Sequence, residues 1–402
     1  MPSRTSKSVE RFLRDLPDFS LVLGGPVFQL LRRSHLSDDA LELVKQRILF
    51  ISLFTWLPLL ALSALEGTLF GGIAVPFLFD VEVHIRFLVV IPLLIGAELV
   101  VHRRMRLVVR QFLERQLIPD DAMGKFKAAI ESLFRLRNSV LAEVLLFVFV
   151  YSVGILIIWR HYVALDTATW YATPSAEGSK LSLAGIWLGY LSLPIFQFLL
   201  CRWYFRIFIW ARFLWQVSRI DLNLMPTHPD RVGGLGFLSQ TVYAFVPLLV
   251  AHGALLASFL GNRIFHAGAK LPDFMLEIVI LVVFLMCLVL GPLLVFAPQL
   301  AQSKRTGLRE YGMLAERYVR EFDTKWLRDG APTDEKLVGT GDIQSLADLS
   351  NSFEVVRTMR IVPFTKETIV QLAVAAAIPV GPLVLTMMPL EEILKRLFGI
   401  LL

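Results

Sequence analysis

Seven stretches of this chain, residues 48–65, 87–101, 139–159, 181–201, 237–261, 274–297 and 368–388, carry almost no charged side chains. A bilayer core of roughly 30 Å is crossed by about 20 apolar residues in a helix. Runs of this length and apolarity are candidate transmembrane helices. The chain therefore reads as an all-α, polytopic membrane protein with about seven transmembrane helices. The second run is the shortest, and it can be extended from near Val83 to beyond Val101. Composition agrees: 55% of the 402 residues are hydrophobic and mean hydropathy is +0.63, against roughly 45–50% apolar usage in soluble domains.

The basic residues test this count. Of the 40 Lys and Arg residues, 33 fall in the N-terminal segment and every second connector, and 7 in the remaining segments. Cytoplasmic loops carry the basic excess, so the N-terminus is expected in the cytoplasm and the short C-terminal tail outside. Residues 1–18 are charged and lack the apolar centre of a cleavable signal, and the first span is expected to serve as an uncleaved anchor. Residues 19–31, with Gly24, Gly25 and Pro26, are too short to span and read as an interfacial or re-entrant piece. Ser37, Asp38 and Asp39 offer a helix N-cap beyond it. The expected organisation is a cytoplasmic segment 1–47, six spans over 48–297 with a cytoplasmic hairpin 102–138 and a loop 221–237, a cytoplasmic helical segment 298–366, and a last span with an amphipathic tail over 367–402.

Helical periodicity continues outside the spans. Tyr311, Leu314, Tyr318 and Phe322 recur at helical spacing, as do Ile343, Leu346, Leu349, Phe353, Val356 and Met359. These stripes predict a cytoplasmic helical layer, packed on itself or on a second copy in a homo-oligomer. Between Cys201 and Arg219, Trp203, Tyr204, Trp210 and Trp215 interleave with Arg202, Arg206, Arg212 and Arg219. That mixture suits the headgroup level, and membrane lipids are the expected partner. The net charge of +6 is spread along the chain, so no nucleic-acid partner is expected.

Within the spans, ionisable residues are costly and mark function when present. Glu98, with His102 one turn on, and Glu143 reach similar depth on neighbouring helices, while His252 lies in the fifth span. The carboxylates read either as a site or as an ion network with Arg103, Arg104, Arg137 or Arg202. His252 reads as bonded to a neighbouring carbonyl. Proline interrupts six spans, at positions 58, 92, 194, 247, 292, 379 and 382, and each removes a helix hydrogen bond.

The stretch 221–237, D-L-N-L-M-P-T-H-P-D-R-V-G-G-L-G-F, gathers His228, Asp230, Arg231, Gly233, Gly234 and Gly236 before the fifth span. Its backbone amides at a helix start favour an anion, such as a phosphorylated headgroup; the alternative is a rigid turn in which Gly and Pro are simply turn residues. It matches neither the phosphate loop nor the dinucleotide fingerprint. There is no H-E-x-x-H or G-x-S-x-G motif, and Cys201 and Cys287 show no metal spacing. No cofactor or metal is expected.

The stretches H-P-D-R-V-G-G-L-G-F-L (228–238), N-S-F-E-V-V-R-T-M-R-I-V-P-F (351–364) and P-L-E-E-I-L-K-R-L (389–397) resemble those of uncharacterised bacterial multi-pass membrane proteins, a resemblance that implies no activity. The functional expectation is a bacterial inner-membrane transport or channel-like protein rather than an enzyme. The alternatives are a membrane sensor or scaffold relaying to a cytoplasmic partner, and an enzyme acting on a phosphorylated lipid at 221–237.

Overall fold

The computed structural model describes residues 19–26, 43–159, 168–173, 180–328, 330–332, 335–337 and 339–387. The expected N-cap at Ser37–Asp39 and the tail 389–397 lie outside them. Six described helices are long and apolar enough to cross a membrane: α1 (Val44–Leu65), α2 (Val81–Glu114), α5 (Leu183–Val217), α6 (Leu235–Ala267), α7 (Leu271–Leu327) and α9 (Lys366–Met387). Between them lie α3 (Met123–Arg137), α4 (Val140–Phe149, continued as a π-helix over Val150–Trp159) and α8 (Asp342–Arg357). A two-stranded hairpin pairs β1 (Ala172–Thr173) with β2 (Lys180–Leu181). The chain is thus all-α in its body. The third expected span, 139–159, is helical, and Val140–Gly154 within it is a shorter apolar helix than the six.

The prolines explain where these helices change pitch. A proline ring crowds the carbonyl four residues earlier and donates no hydrogen bond, so the preceding turn must widen or tighten. Pro92 and Pro194 each follow a π turn, Arg86–Val90 and Leu188–Ser192, whereas Pro247 follows a 3-10 turn at Tyr243–Phe245. Pro292 and Pro379 lie inside 3-10 turns. Pro58 sits in an uninterrupted α-helix.

α6 is the innermost helix, two-thirds buried along its apolar stretch, whereas α1, α7 and α9 are each buried over less than a third. A Cβ at Gly253 would collide with the carbonyl of Ala376, so glycine lets α6 and α9 touch along their backbones, the small-residue packing that serves where lipid gives helices no hydrophobic drive to associate. Exposed leucines, valines and phenylalanines cover the outside of α1, α4 and α7, the surface a bilayer would solvate.

The connectors gather at two ends of the bundle. At one, Asp80 caps α2 through Oδ1, which accepts from the amides of Glu82 and Val83 at 3.1 and 3.3 Å. The same carboxylate accepts from Asn262 Nδ2 at 2.8 Å and Trp170 Nε1 at 2.9 Å, and Glu66 accepts from the amide of Leu183 at 2.7 Å. At the other end, Asn223 N donates to Leu117 O, Gln299 Nε2 to the carbonyls of Ser218 and Ile220, and Lys304 Nζ to Met359 O. The first group contains the basic-poor connectors and the second the basic-rich ones.

Beyond the bundle, α7 runs on into a hairpin with α8. Tyr318 OH donates to Asp342 O at 3.1 Å, and Trp326 Nε1 and Lys325 Nζ both donate to Asp342 Oδ2 at 2.9 Å. The sequence stripes only partly face this seam: Val356 and Met359 are buried, but Leu314 and Ile343 remain half exposed.

Candidate functional site

Five charged side chains from four helices meet inside the bundle. Arg47 comes from the first turn of α1, Glu98 from the middle of α2, and Glu143 from the first turn of α4, where the helix dipole favours a carboxylate. Arg202 and Arg206 lie one turn apart on α5 and so share a face. Arg47 pairs with Glu98 Oε2, and Arg206 Nη2 stands 2.8 Å from Glu98 Oε1. Arg202 bridges the two acids, 4.0 Å from Glu98 and 3.6 Å from Glu143. None of the five side chains is more than 8% exposed. Trp203 locks α5 in register: its Nε1 donates to Leu94 O at 2.9 Å, and the Arg206 guanidinium stacks on its ring at 4.8 Å.

Residues 19–26 roof this cluster and are largely buried. Ser20 Oγ accepts from the amides of Val22 and Leu23 and lies 2.9 Å from His102 Nδ1, while Arg137 Nη1 donates to Ser20 O at 2.6 Å. Phe19 packs its ring among Phe134, Trp210 and Phe213. Gly25, at φ +91°, passes so close to Glu143 that a Cβ would stand 2.7 Å from Oε1; only glycine permits both the dihedral and the approach. Burial lowers the pKa of Arg137 to about 10.

Glu98, His102 and Glu143 are therefore brought into one neighbourhood, and His252 is not. Its Nδ1 lies 2.7 Å from Leu248 O and its Nε2 2.6 Å from Tyr204 OH. A carbonyl can only accept, so Nδ1 carries the proton and Nε2 accepts from the tyrosine. Of the arginines expected beside the carboxylates, Arg202 is a partner and Arg103 and Arg104 are exposed. Arg47 and Arg206, the two closest partners of Glu98, escaped sequence reasoning. The available signal was the spacing of Arg202 and Arg206 on one helical face. In the stretch from Cys201 to Arg219, Trp203 and Trp210 are fully buried, whereas Phe208 and Trp215 are exposed.

The loop 221–237 holds a different arrangement. Arg231, Gly233 and Gly234 all have positive φ, +56°, +64° and +98°, and this winds the backbone around the Asp230 carboxylate. Oδ1 accepts from Val232 N at 2.9 Å and Gly234 N at 3.2 Å, and Oδ2 from Gly236 N at 2.8 Å. His228 Nδ1 lies 2.9 Å from Asp230 Oδ1 and 3.2 Å from Asp230 N. Burial raises the carboxyl pKa, but the three amides, with His228 beside them, outweigh it and hold Asp230 below its ordinary range. Arg115 Nη1 donates to Gly234 O at 3.0 Å, and Arg360 donates through N to Arg231 O at 2.7 Å and through Nη2 to Asp230 O at 3.0 Å. The Arg231 side chain points into solvent. The amides expected to meet an anion thus meet one supplied by the chain itself.

Among the described residues no three His, Cys, Asp or Glu side chains converge as metal ligands. Comparison with known proteins adds no name to this geometry: no family model, no curated protein and no solved structure matches the chain.

Proposed function

We propose that this chain is a transport protein of a bacterial inner membrane, crossing it seven times with the N-terminus and the α7–α8 hairpin in the cytoplasm, and that its solute engages the buried charge cluster. The observation carrying this reading is the meeting of Arg47, Glu98, Glu143, Arg202 and Arg206 inside apolar helices. Ionisable groups at such depth are rare and characteristically line solute and ion pathways. Seven crossings are supported by the sorting of connectors, because the chain leaves α3 beside the basic-rich end and reappears at Thr169 beside Asp80, with α4 between. A reporter fused after Thr173 is expected outside and one after Asp120 inside; a cytoplasmic signal at Thr173 overturns the seven-span topology.

In liposomes, the purified protein is expected to pass a small ion or solute, and Glu143→Gln to change that flux while the protein stays folded. Flux unchanged in the variant returns the cluster to a structural brace, and no flux across a broad panel ends the transport reading. A sensor or scaffold reading is favoured by one observation: Met313, Leu314, Val319 and Ile343 leave apolar surface on the hairpin, suited to a cytoplasmic partner or a second copy of the chain. The loop 221–237 enters as a rigid turn. An enzyme of phosphorylated lipid would need Asp230 displaced from the amides it occupies.

A further inference from the structure

A cavity of about 250 Å³ lies beside the cluster, between α1, α2, α4 and α5. Ile51, Ile95, Pro194, Phe198 and Leu199 make most of it apolar, and Arg47, Glu98 and Arg202 form a charged wall. Tyr151 and Phe147 of the α4 helix complete the lining. Phe147 is 55% exposed, on a face that it shares with the similarly exposed Val144, Leu145 and Val148. The α4 side of the cavity is therefore bordered by an exposed apolar surface suited to acyl chains. Small-molecule sites measure roughly 300–1,000 Å³, so this space takes one alkyl chain or part of one, not a whole bilayer lipid.

The charged wall calls for an anion. Among the described residues three buried guanidiniums face two carboxylates, and a buried charge without compensation is strongly unfavourable. Glu98 is committed to Arg47 and Arg206. Arg202, at 3.6 and 4.0 Å from its nearest carboxylate oxygens, is beyond hydrogen-bond length of either. Among the described residues Arg47 Nε is buried and finds no hydrogen-bond partner. Donors of this kind next to an apolar chamber match a molecule that is anionic at one end and hydrocarbon at the other. The helix walls deviate locally too: Tyr151 lies in the π-helical stretch of α4 and donates to the carbonyl of Tyr190 in the π turn of α5, at 3.3 Å, and π turns in helices occur often at functional sites.

We propose that the cavity binds an anionic amphiphile reaching it laterally past Phe147, with a carboxylate or phosphate headgroup on Arg202 and Arg47 and an alkyl chain against Ile95, Phe198 and Leu199. That this molecule is the transported solute rests on the transport reading; that it binds does not. The test uses the full chain in a neutral maltoside detergent, with bound molecules counted by native mass spectrometry after exchange against myristate, dioleoyl phosphatidylglycerol, dioleoyl phosphatidylcholine or inorganic phosphate. Myristate or phosphatidylglycerol is expected to be retained roughly tenfold better than phosphatidylcholine, and the stronger of the two identifies the source as a free fatty acid or a bilayer lipid. Arg202→Gln is expected to weaken that retention about tenfold, the scale of one charge-assisted hydrogen bond. Leu199→Trp fills the chamber without touching a charge and is expected to weaken it comparably, so it carries the test if Arg202→Gln fails to fold. Arg219→Gln, in the exposed turn after α5, is expected to leave it unchanged.

Equal retention of phosphatidylcholine, full competition by inorganic phosphate alone, or parental retention in Leu199→Trp overturns the site. Retention without flux in liposomes leaves the site standing and ends the transport reading. Flux without retention does the reverse.

Discussion

Two carboxylates, the buried Glu98 and the partly buried Asp230, are held in opposite ways. Asp230 takes its donors from the next few residues, the amides of Val232, Gly234 and Gly236. Glu98 takes its donors from other helices, and Arg47 lies 51 residues away in sequence. The first is a local device that forms wherever the loop adopts its positive-φ path. The second exists only when α1, α2 and α5 are assembled, so it reports on the whole bundle. A carboxylate saturated by backbone has nothing left to offer a ligand, whereas one held among an excess of cations leaves those cations able to bind something else.

Substitutions can break this contrast or sharpen it. The largest effect is expected from Glu98→Gln, which leaves Arg47 and Arg206 facing each other without their shared anion. Removing one partner of a buried pair costs about 3–5 kcal/mol, and the thermal midpoint in detergent should fall more than for any other single change described here. A midpoint within a degree or two of the parent would mean that the cluster is hydrated and contributes little.

Asp230→Asn is expected to cost less, about 1–3 kcal/mol for amides left poorly partnered, with α2 and α6 still assembled. Its pH dependence has a definite sign. Because the folded pKa is depressed, the contribution of Asp230 is fully present above its unfolded value of about 3.9. It is lost as pH falls through the lower folded value. The parent should therefore lose stability through that acid range, and Asp230→Asn should flatten the part of the decline that belongs to this group. An identical acid limb in both proteins would show that the amides do not hold the carboxylate in solution.

The smallest effect is expected at Arg231. Its side chain is exposed and its φ is positive, so Arg231→Ala should stay within about 0.5 kcal/mol, and Arg231→Gly should be neutral or slightly stabilising. A large loss in either thermal midpoint would give the Arg231 side chain a role that its position does not suggest.

What the residues reveal in advance follows the same division. The apolar runs are legible because lipid imposes length and composition segment by segment, and the Gly-Pro loop because positive φ demands particular residues locally. That Asp230 would turn into the Gly233–Gly236 amides needed only the next step, since the acid and the donors were both visible within seven residues. Glu98 and Glu143 stand out in the sequence as charges within apolar runs, and Arg202 as one of the boundary arginines able to pair with them. Arg47 and Arg206 do not, because each lies beside a run of apolar or aromatic residues where an interfacial position is equally consistent with the pattern. Nor does anything in residues 19–26 announce that Ser20 will meet His102 and Arg137. Partners chosen by helix packing leave no local period to read.

The order in which the cluster's members are made has a consequence for biosynthesis. Arg47 precedes Glu98, and Glu98 precedes Arg202 and Arg206, along the chain. An acidic residue within a membrane helix makes its insertion less favourable, and when α2 leaves the ribosome the only cation of the cluster already present is the one at the start of α1. If α1 and α2 insert as a hairpin, Glu98 enters with its counter-charge in Arg47, and Arg202 and Arg206 of α5 arrive later at a carboxylate that is already paired. The roof at Ser20, although made first, can settle only after α3 has supplied Arg137, so the earliest described residues to be translated are among the last to find their place.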